Sequence, residues 1–358
     1  MPESGRQHLG WLRPGAMTRS ITTTILDRNV LPFFIDNEYH YINLTRKITT
    51  MPLLHKTGPL LLGISIAILM VAGCSPTPAA VSPTNSNITL VASTNVWGNI
   101  AKQVGGSVVD VTSIISDPSQ DPHSYEANAR IQLLVSKADV VIHNGGGYDD
   151  FIDTLLKSAG NPDVKVLNAV NISGLDQHPA TGEFNEHVWY DFPTVRKVAA
   201  QIARTLSDLD PSSRATFTAN EKAFDDSLGL LEAQQAAIKK GQPADNGVAI
   251  TEPVPLYLLS ACGLVNKTPA EFSEAIEEGT DVRPIVLLQT LALFSNHSVK
   301  LLAYNEQTSG PETEQVLAAA KAAHVATISV TETLPTGKTY LDWMSDNLNA
   351  VRTALHGK

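Results

Sequence analysis

Short apolar strands alternate with amphipathic helical stretches along most of this chain, and one long helical stretch interrupts them, which points to parallel sheet with helical crossovers. Ile88 to Ala92 reads as a strand, Trp97 to Val104 as a helix, Val108 to Ile115 as a strand, Ala129 to Lys137 as a helix, Asp139 to His143 as a strand and Tyr148 to Ser158 as a helix. The rhythm breaks between Pro211 and Lys240. There Phe217, Phe224, Leu228 and Leu231 are spaced by 7, 4 and 3 residues and share one face of a helix. Gly241-Gln-Pro243 ends it, and alternation resumes with strands at Gly247 to Thr251, Val299 to Tyr304 and Val325 to Val330. Helices fit Val286 to Phe294, Pro311 to Ala323 and Tyr340 to Leu355. The pattern predicts an α/β fold of two lobes, each a mostly parallel sheet flanked by helices, joined by one long linking helix. The expected boundaries are 88–210 for the N-terminal lobe, 211–241 for the linking helix and 246–358 for the C-terminal lobe.

The apolar run from Pro59 to Gly73 ends at Cys74 and is followed by Ser-Pro-Thr-Pro and a polar tail. It falls short of the roughly 20 apolar residues of a membrane span but suits the core of a signal peptide, with Lys56 as its positive flank. Val71-Ala-Gly-Cys74 resembles the bacterial lipobox, so residues 51–73 are expected to be a lipoprotein signal peptide and Cys74 the lipidated first residue of the mature protein. An uncleaved anchor helix with an incidental cysteine is the alternative, and either arrangement exports the rest of the chain. Residues 1–50 carry Asp27, Asp36 and Glu38 without apolar periodicity, and a start at Met51 gives a compact leader, so 1–50 read as a non-native extension. Residues 74–87, rich in Pro, Ser, Thr and Asn, read as a flexible tether from lipid to domain.

The segment before Cys74 carries 7 Lys/Arg and 4 Asp/Glu, leaving 19 basic against 32 acidic side chains and a net charge of about −13, compared with −10 for the whole chain. Such a surface repels phosphate backbones, which argues against nucleic acid, and it favours cations. Cys74 and Cys262 are the two cysteines. With Cys74 lipidated, neither an intramolecular disulfide nor a thiolate metal cluster can form.

Side chains able to hold a ligand fall at strand ends or in the loops after them, where open α/β sheets place their sites. His123 lies in the loop after the second strand, and His187 precedes a helix starting near Pro193. Glu252 follows the strand Val248-Ala-Ile-Thr251, and Glu332 follows Ile328-Ser-Val-Thr331. Taken singly, each has a plain structural reading: a solvated loop histidine for His123, a packed ring for His187, and a neighbour of a helix cap for Glu332. Glu252 is the most telling, because a carboxylate at the end of a buried strand is costly unless paired or metal-bound. Gly145-Gly-Gly147 after His143 lacks the Lys-Ser/Thr of a phosphate loop and reads as a close strand-to-helix turn. Glu306 reads as rim, and His178, His297, His324 and His356 as surface.

Asp121-Pro-His-Ser-Tyr-Glu126, Ala138-Asp-Val-Val-Ile-His-Asn-Gly-Gly-Gly147, Glu186-His-Val-Trp189 and Thr331-Glu-Thr-Leu334 together resemble the metal-binding receptors of bacterial ABC importers for zinc and manganese, the cluster A-I solute-binding lipoproteins. The resemblance runs from about Ile88 to the C-terminus. It implies a rigid, two-lobed, monomeric receptor that holds one divalent ion, Zn²⁺ or Mn²⁺, between its lobes, is anchored outside the cell membrane by lipid, and delivers the ion to an ABC permease. Carried over by position, the ligands are His123, His187, Glu252 and Glu332. The sequence departs from the family at its last ligand, usually aspartate, and lacks the His-rich acidic loop of many zinc receptors. Two imidazoles with two carboxylates make a harder donor set than three imidazoles with one, which tilts the expected cargo towards manganese with zinc close behind.

Two other functions compete. An exported metal-dependent hydrolase needs an open metal position and a general base, and the chain has neither His-Glu-x-x-His nor Gly-x-Ser-x-Gly. A receptor of the same architecture for an organic solute needs aromatic or arginine contacts, whereas the motif loops offer mainly histidines and carboxylates. No enzymatic activity is therefore expected.

Overall fold

The computed structural model describes residues 32–35, 38–41, 87–180, 182–243 and 245–356. Cys74, the signal segment 51–73 and most of the expected extension and tether lie outside the described residues. Within the extension, strands β1 (Pro32–Ile35) and β2 (Glu38–Tyr41) pair antiparallel as a hairpin.

The N-terminal sheet is built from β3 (Ile88–Thr94), β4 (Val109–Ile115), β5 (Val140–His143) and β6 (Lys165–Asn168), all parallel, in the order β4-β3-β5-β6. Crossovers come from α1 (Asn95–Gly105), α2 (Ala129–Ser136) and α3 (Phe151–Ala159), and α4 (Ala169–Ser173) and α5 (Phe192–Leu209) follow. Leu90, Val91 and Ala92 of the central strand are fully buried, as expected where helices cover both faces of a parallel sheet. Asp191 caps α5 by accepting from the Thr194 amide at 3.0 Å, and Pro193 in the first turn fixes its start. Helix α3 begins at Phe151 rather than at Tyr148 as the sequence suggests. The Asp149 carboxylate accepts from the amides of Asn144 at 2.7 Å and Gly145 at 2.8 Å, holding 144–150 as a turn. Gly145 has φ +76°, and a Cβ there would lie 2.2 Å from the Asn168 side chain, so this close turn needs glycine.

The long helix α6 (Arg214–Lys240) has 27 residues. Phe217, Phe224, Leu228 and Leu231 are all buried on it, so the face read from their spacing is the packed one. The C-terminal sheet consists of β7 (Asn246–Ile250), β8 (Leu264–Asn266), β9 (Leu301–Asn305) and β10 (Ala326–Val330), parallel in the order β10-β9-β7-β8. Helices α7 (Leu256–Ala261), α8 (Ala270–Glu277), α9 (Pro284–Ser295) and α10 (Pro311–Ala322) connect the strands, and α11 (Tyr340–His356) closes the chain.

One apolar core runs through both lobes. It joins Leu90, Trp97 and Ile142 to Leu228 of α6, to Ile250 and Leu301, and to Trp343 and Met344 of α11. Smaller clusters lie on the outer faces, around Val91, Val141 and Ile152 in one lobe and around Phe272, Leu302 and Val316 in the other. Helix α6 packs on α1 and α5 of the first lobe and on α7 and α11 of the second. Polar ties add direction to this contact: Asn95 pairs both ways with the backbone of Leu334, at 2.9 Å in each direction, and the Tyr340 hydroxyl donates to the Trp189 carbonyl at 2.6 Å. A shared core with fixed cross-ties holds the strand ends of the two lobes opposite one another.

Candidate metal centre

A cleft of about 900 Å³ opens between the ends of the two sheets, lined from one side by the 118–124 loop and Glu186 and from the other by Glu252, Glu277 and Glu332. His123 is on the exposed loop after β4, where its amide donates to Asp121 at 2.9 Å and the Asp-Pro-His turn aims the ring inward. Its Nε2 stands 3.7 Å from the Glu186 carboxylate, and its ring meets Tyr148 edge-on with centroids 5.1 Å apart.

His187 is fully buried, flanked by Trp189 at 5.0 Å and Tyr148 at 5.9 Å. Its Nδ1 lies 2.8 Å from the side-chain oxygen of Asn185, which also accepts from the His187 amide at 3.1 Å. An amide oxygen accepts only, so Nδ1 carries the proton and Nε2 is left with its lone pair. Among the described residues that Nε2 has no hydrogen-bond partner. Burial, followed by the nearby His123, holds His187 well below the usual imidazole pKa and keeps the lone pair available.

Across the cleft, Glu252 is 2% exposed and lies two residues beyond the end of β7. The Asn305 side chain at the end of β9 donates to Glu252 Oε2 and, at 2.6 Å, to Glu332 Oε1. Its own oxygen accepts from the Gln307 amide at 3.1 Å, which orients the amide with both protons towards the carboxylates. Glu252 Oε1 is buried without a partner. The backbone amide of Glu332 donates to Gln307 at 2.6 Å, and its Oε2 meets the Tyr148 hydroxyl at 3.4 Å. Glu332 thus reaches the first lobe, where the capping reading would have kept it local.

The structure therefore lines one cleft with His123, Glu252 and Glu332 and buries His187 beside it, its Nε2 3.3 Å from the cleft residue Glu277. It adds carboxylates that the sequence did not single out. Glu186 was visible inside its motif but overshadowed by the histidine beside it, whereas Glu277 sits at the end of α8, a helix the sequence reading left unassigned. One oxygen of Glu277 is grouped within 4.8 Å of donor atoms of His123 and Glu186, and Oε1 is 3.3 Å from His187 Nε2. Burial lowers the His187 imidazole well below its usual value, and burial with the neighbouring carboxylates pushes Glu277 up to about 10, both of which disfavour an ion pair between them. Burial likewise raises Glu186 and Glu252 to about 7 and Glu332 to about 8. Crowded carboxylates and partnerless buried donors from both lobes are the arrangement that a bound cation would relieve.

The remaining sequence candidates lie apart. Glu306 is exposed, and its neighbour Asn305 is the residue that reaches the site. His178, His297, His324 and His356 are exposed, and the buried His143 stands 3.5 Å from Asp149 beneath the glycine turn.

The fold and this cleft define a two-lobed α/β protein whose interlobe cleft is rich in imidazole and carboxylate donors. Residues 90–354 match the model of the family described as zinc-uptake complex component A periplasmic, and the chain belongs to that family. It is 24% identical over 308 residues to the manganese ABC transporter substrate-binding lipoprotein scaA of Streptococcus gordonii, covering 81% of this chain and 96% of that protein. It is 25% identical over 318 residues to the manganese ABC transporter substrate-binding lipoprotein PsaA of Streptococcus pneumoniae, covering 84% and 99%. Among solved structures, the periplasmic zinc-binding protein TroA of Treponema pallidum superposes with a TM-score of 0.65 at 18% identity, covering 75% of this chain and 99% of that one, which shows the shared fold.

Proposed function

We propose that this protein is an extracytoplasmic receptor that captures one Zn²⁺ or Mn²⁺ ion in the cleft and delivers it to an ABC permease, without catalysis. The observation that carries the reading is a pair of buried donor atoms, His187 Nε2 from one lobe and Glu252 Oε1 from the other, both without partners at the cleft. His123, His187, Glu252 and Glu332 are the ligands in this reading, with Asn185 fixing the imidazole tautomer and Asn305 holding the two carboxylates. The Cys74 lipid keeps the receptor at the membrane surface as a monomer, and the 74–87 tether lets it reach the permease. Among the described residues no lysine or arginine lines the cleft, which favours a cation over an organic acid as cargo. Protein purified without chelator is expected to carry close to one equivalent of zinc or manganese by elemental analysis. Metal-free protein that carries an organic solute instead would contradict the reading.

A further inference from the structure

Asn305 limits what the two carboxylates of the C-terminal sheet can give. Its amide donates to Glu252 Oε2 and Glu332 Oε1, which leaves Glu252 Oε1 without a partner among the described residues and Glu332 Oε2 in a long 3.4 Å contact with the Tyr148 hydroxyl, so one oxygen of each carboxylate is turned away from Asn305. Two imidazoles and two single oxygens make four donors. That number suits zinc, whereas manganese prefers about six, mostly oxygen.

Glu277 is the donor left over. Helix α8 turns Phe272 into the outer core of its lobe and Ser273 and Glu277 towards the cleft. The Glu277 side chain is 15% exposed, and its Oε1 is buried with no hydrogen-bond partner. Facing it at 3.3 Å is His187 Nε2, fully buried and equally without a partner. Two neighbouring donors bound to one ion at about 2.1 Å each, at angles of about 90–120°, stand about 3.0–3.6 Å apart. The observed separation fits two ligands of a shared ion. The competing arrangement is a Glu277 carboxyl donating to Nε2, the contact that Glu277→Gln preserves.

We propose that Glu277 is a fifth ligand of the captured ion and biases the site towards manganese; this rests on the receptor reading above. The helix that carries it adds a further oxygen from the same lobe as the Asn305-held pair, and this raises the donor number beyond what a four-coordinate zinc site uses.

Glu277→Gln tests this, because glutamine keeps the volume and can still donate to His187 Nε2, so a merely structural contact survives the change. Affinities for Mn²⁺ and Zn²⁺ would be measured on the mature protein by competition with a chromogenic chelator, alongside wild type, His187→Ala and Glu277→Ala. The expected result is a Mn²⁺ dissociation constant raised at least roughly tenfold in both Glu277 variants, the low end of what losing even an outer partner costs, with a smaller change for Zn²⁺. Mn²⁺ affinity within about twofold of wild type in Glu277→Gln, or an equal loss of both ions, would overturn the proposal. If His187→Ala loses the metal while Glu277→Gln keeps it, only the Glu277 assignment falls. Wild type that binds neither ion removes the receptor reading as well.

Discussion

The Nδ1 atom of His187 lies 2.8 Å from the side-chain oxygen of Asn185, and this contact decides which ring nitrogen faces the cleft. Asn185 is itself tied to the other lobe, donating to the Pro253 carbonyl at 3.1 Å and accepting through its carbonyl from the Tyr257 hydroxyl at 2.7 Å. One side chain thus sets the tautomer and spans the lobes. Asn185→Ala is expected to weaken metal binding by about 10–100-fold although Asn185 touches no ion in this account. Calorimetric titration with Zn²⁺ would check it, and unchanged affinity would show that the tautomer is set elsewhere.

Asn305→Leu removes the donor shared by Glu252 and Glu332 while keeping the branched shape of the side chain. Two buried carboxylates then lose their hydrogen-bond partner and face each other's charge, so the variant is expected to bind Mn²⁺ about 10–100-fold more weakly. The same titration reads the outcome.

Acid should release the ion, and the carboxylates should be responsible. Burial raises Glu252 to about 7 and Glu332 to about 8 from the ordinary 4.5, whereas His187 is held well below its usual value and stays neutral on mild acidification. A carboxyl whose folded value is raised favours the metal-free fold below about 4.5, and that contribution is lost as pH climbs through 7 to 8. The metal-bound fold has the opposite slope, because the ion needs these groups ionised. The metal-induced rise in melting temperature should therefore be larger at pH 8 than at pH 6. A larger rise at pH 6 would contradict the assignment.

The shared core predicts that the lobes unfold together. Leu228 is fully buried on α6 among residues of the common cluster. Leu228→Ala should cost about 2–5 kcal/mol, seen as a lower midpoint of one cooperative transition in urea. Two separated transitions would show that the lobes are independent.

Much of this was legible in the sequence because long or fully buried elements carry strong patterns. The buried face of α6 follows from the spacing of four apolar residues, and the central strands from unbroken apolar runs. What escaped was short or at an edge. Strand β8 has three residues with Val265 exposed, β6 has four with Leu167 alone buried, and α8 spans eight residues with three glutamates and only Phe272 and Ser273 buried, too weak a pattern to assign. Missing α8 meant missing Glu277. Asn305 escaped for a different reason: at that strand end the neighbouring Glu306 offered the more obvious ligand chemistry, and only the pleat shows which of the two faces the cleft.

The anchoring expectation is tested in cells. Cys74→Ala should move the protein from the membrane fraction to the soluble fraction or accumulate the unprocessed precursor, followed by immunoblot. An intact mass showing residues 1–50 on the mature protein would overturn the expected start at Met51.

The central claim is that one ion joins His187 of one lobe to carboxylates of the other, and thermal unfolding of chelator-treated protein with and without metal tests it most directly. At a free ion concentration a thousand times the dissociation constant, linkage predicts about 4 kcal/mol of added stability. The account predicts that wild type shows this rise with Zn²⁺ or Mn²⁺ at one ion per chain, that His123→Ala and His187→Ala lose most of it, and that His178→Ala keeps it. A full rise in His187→Ala would contradict the account.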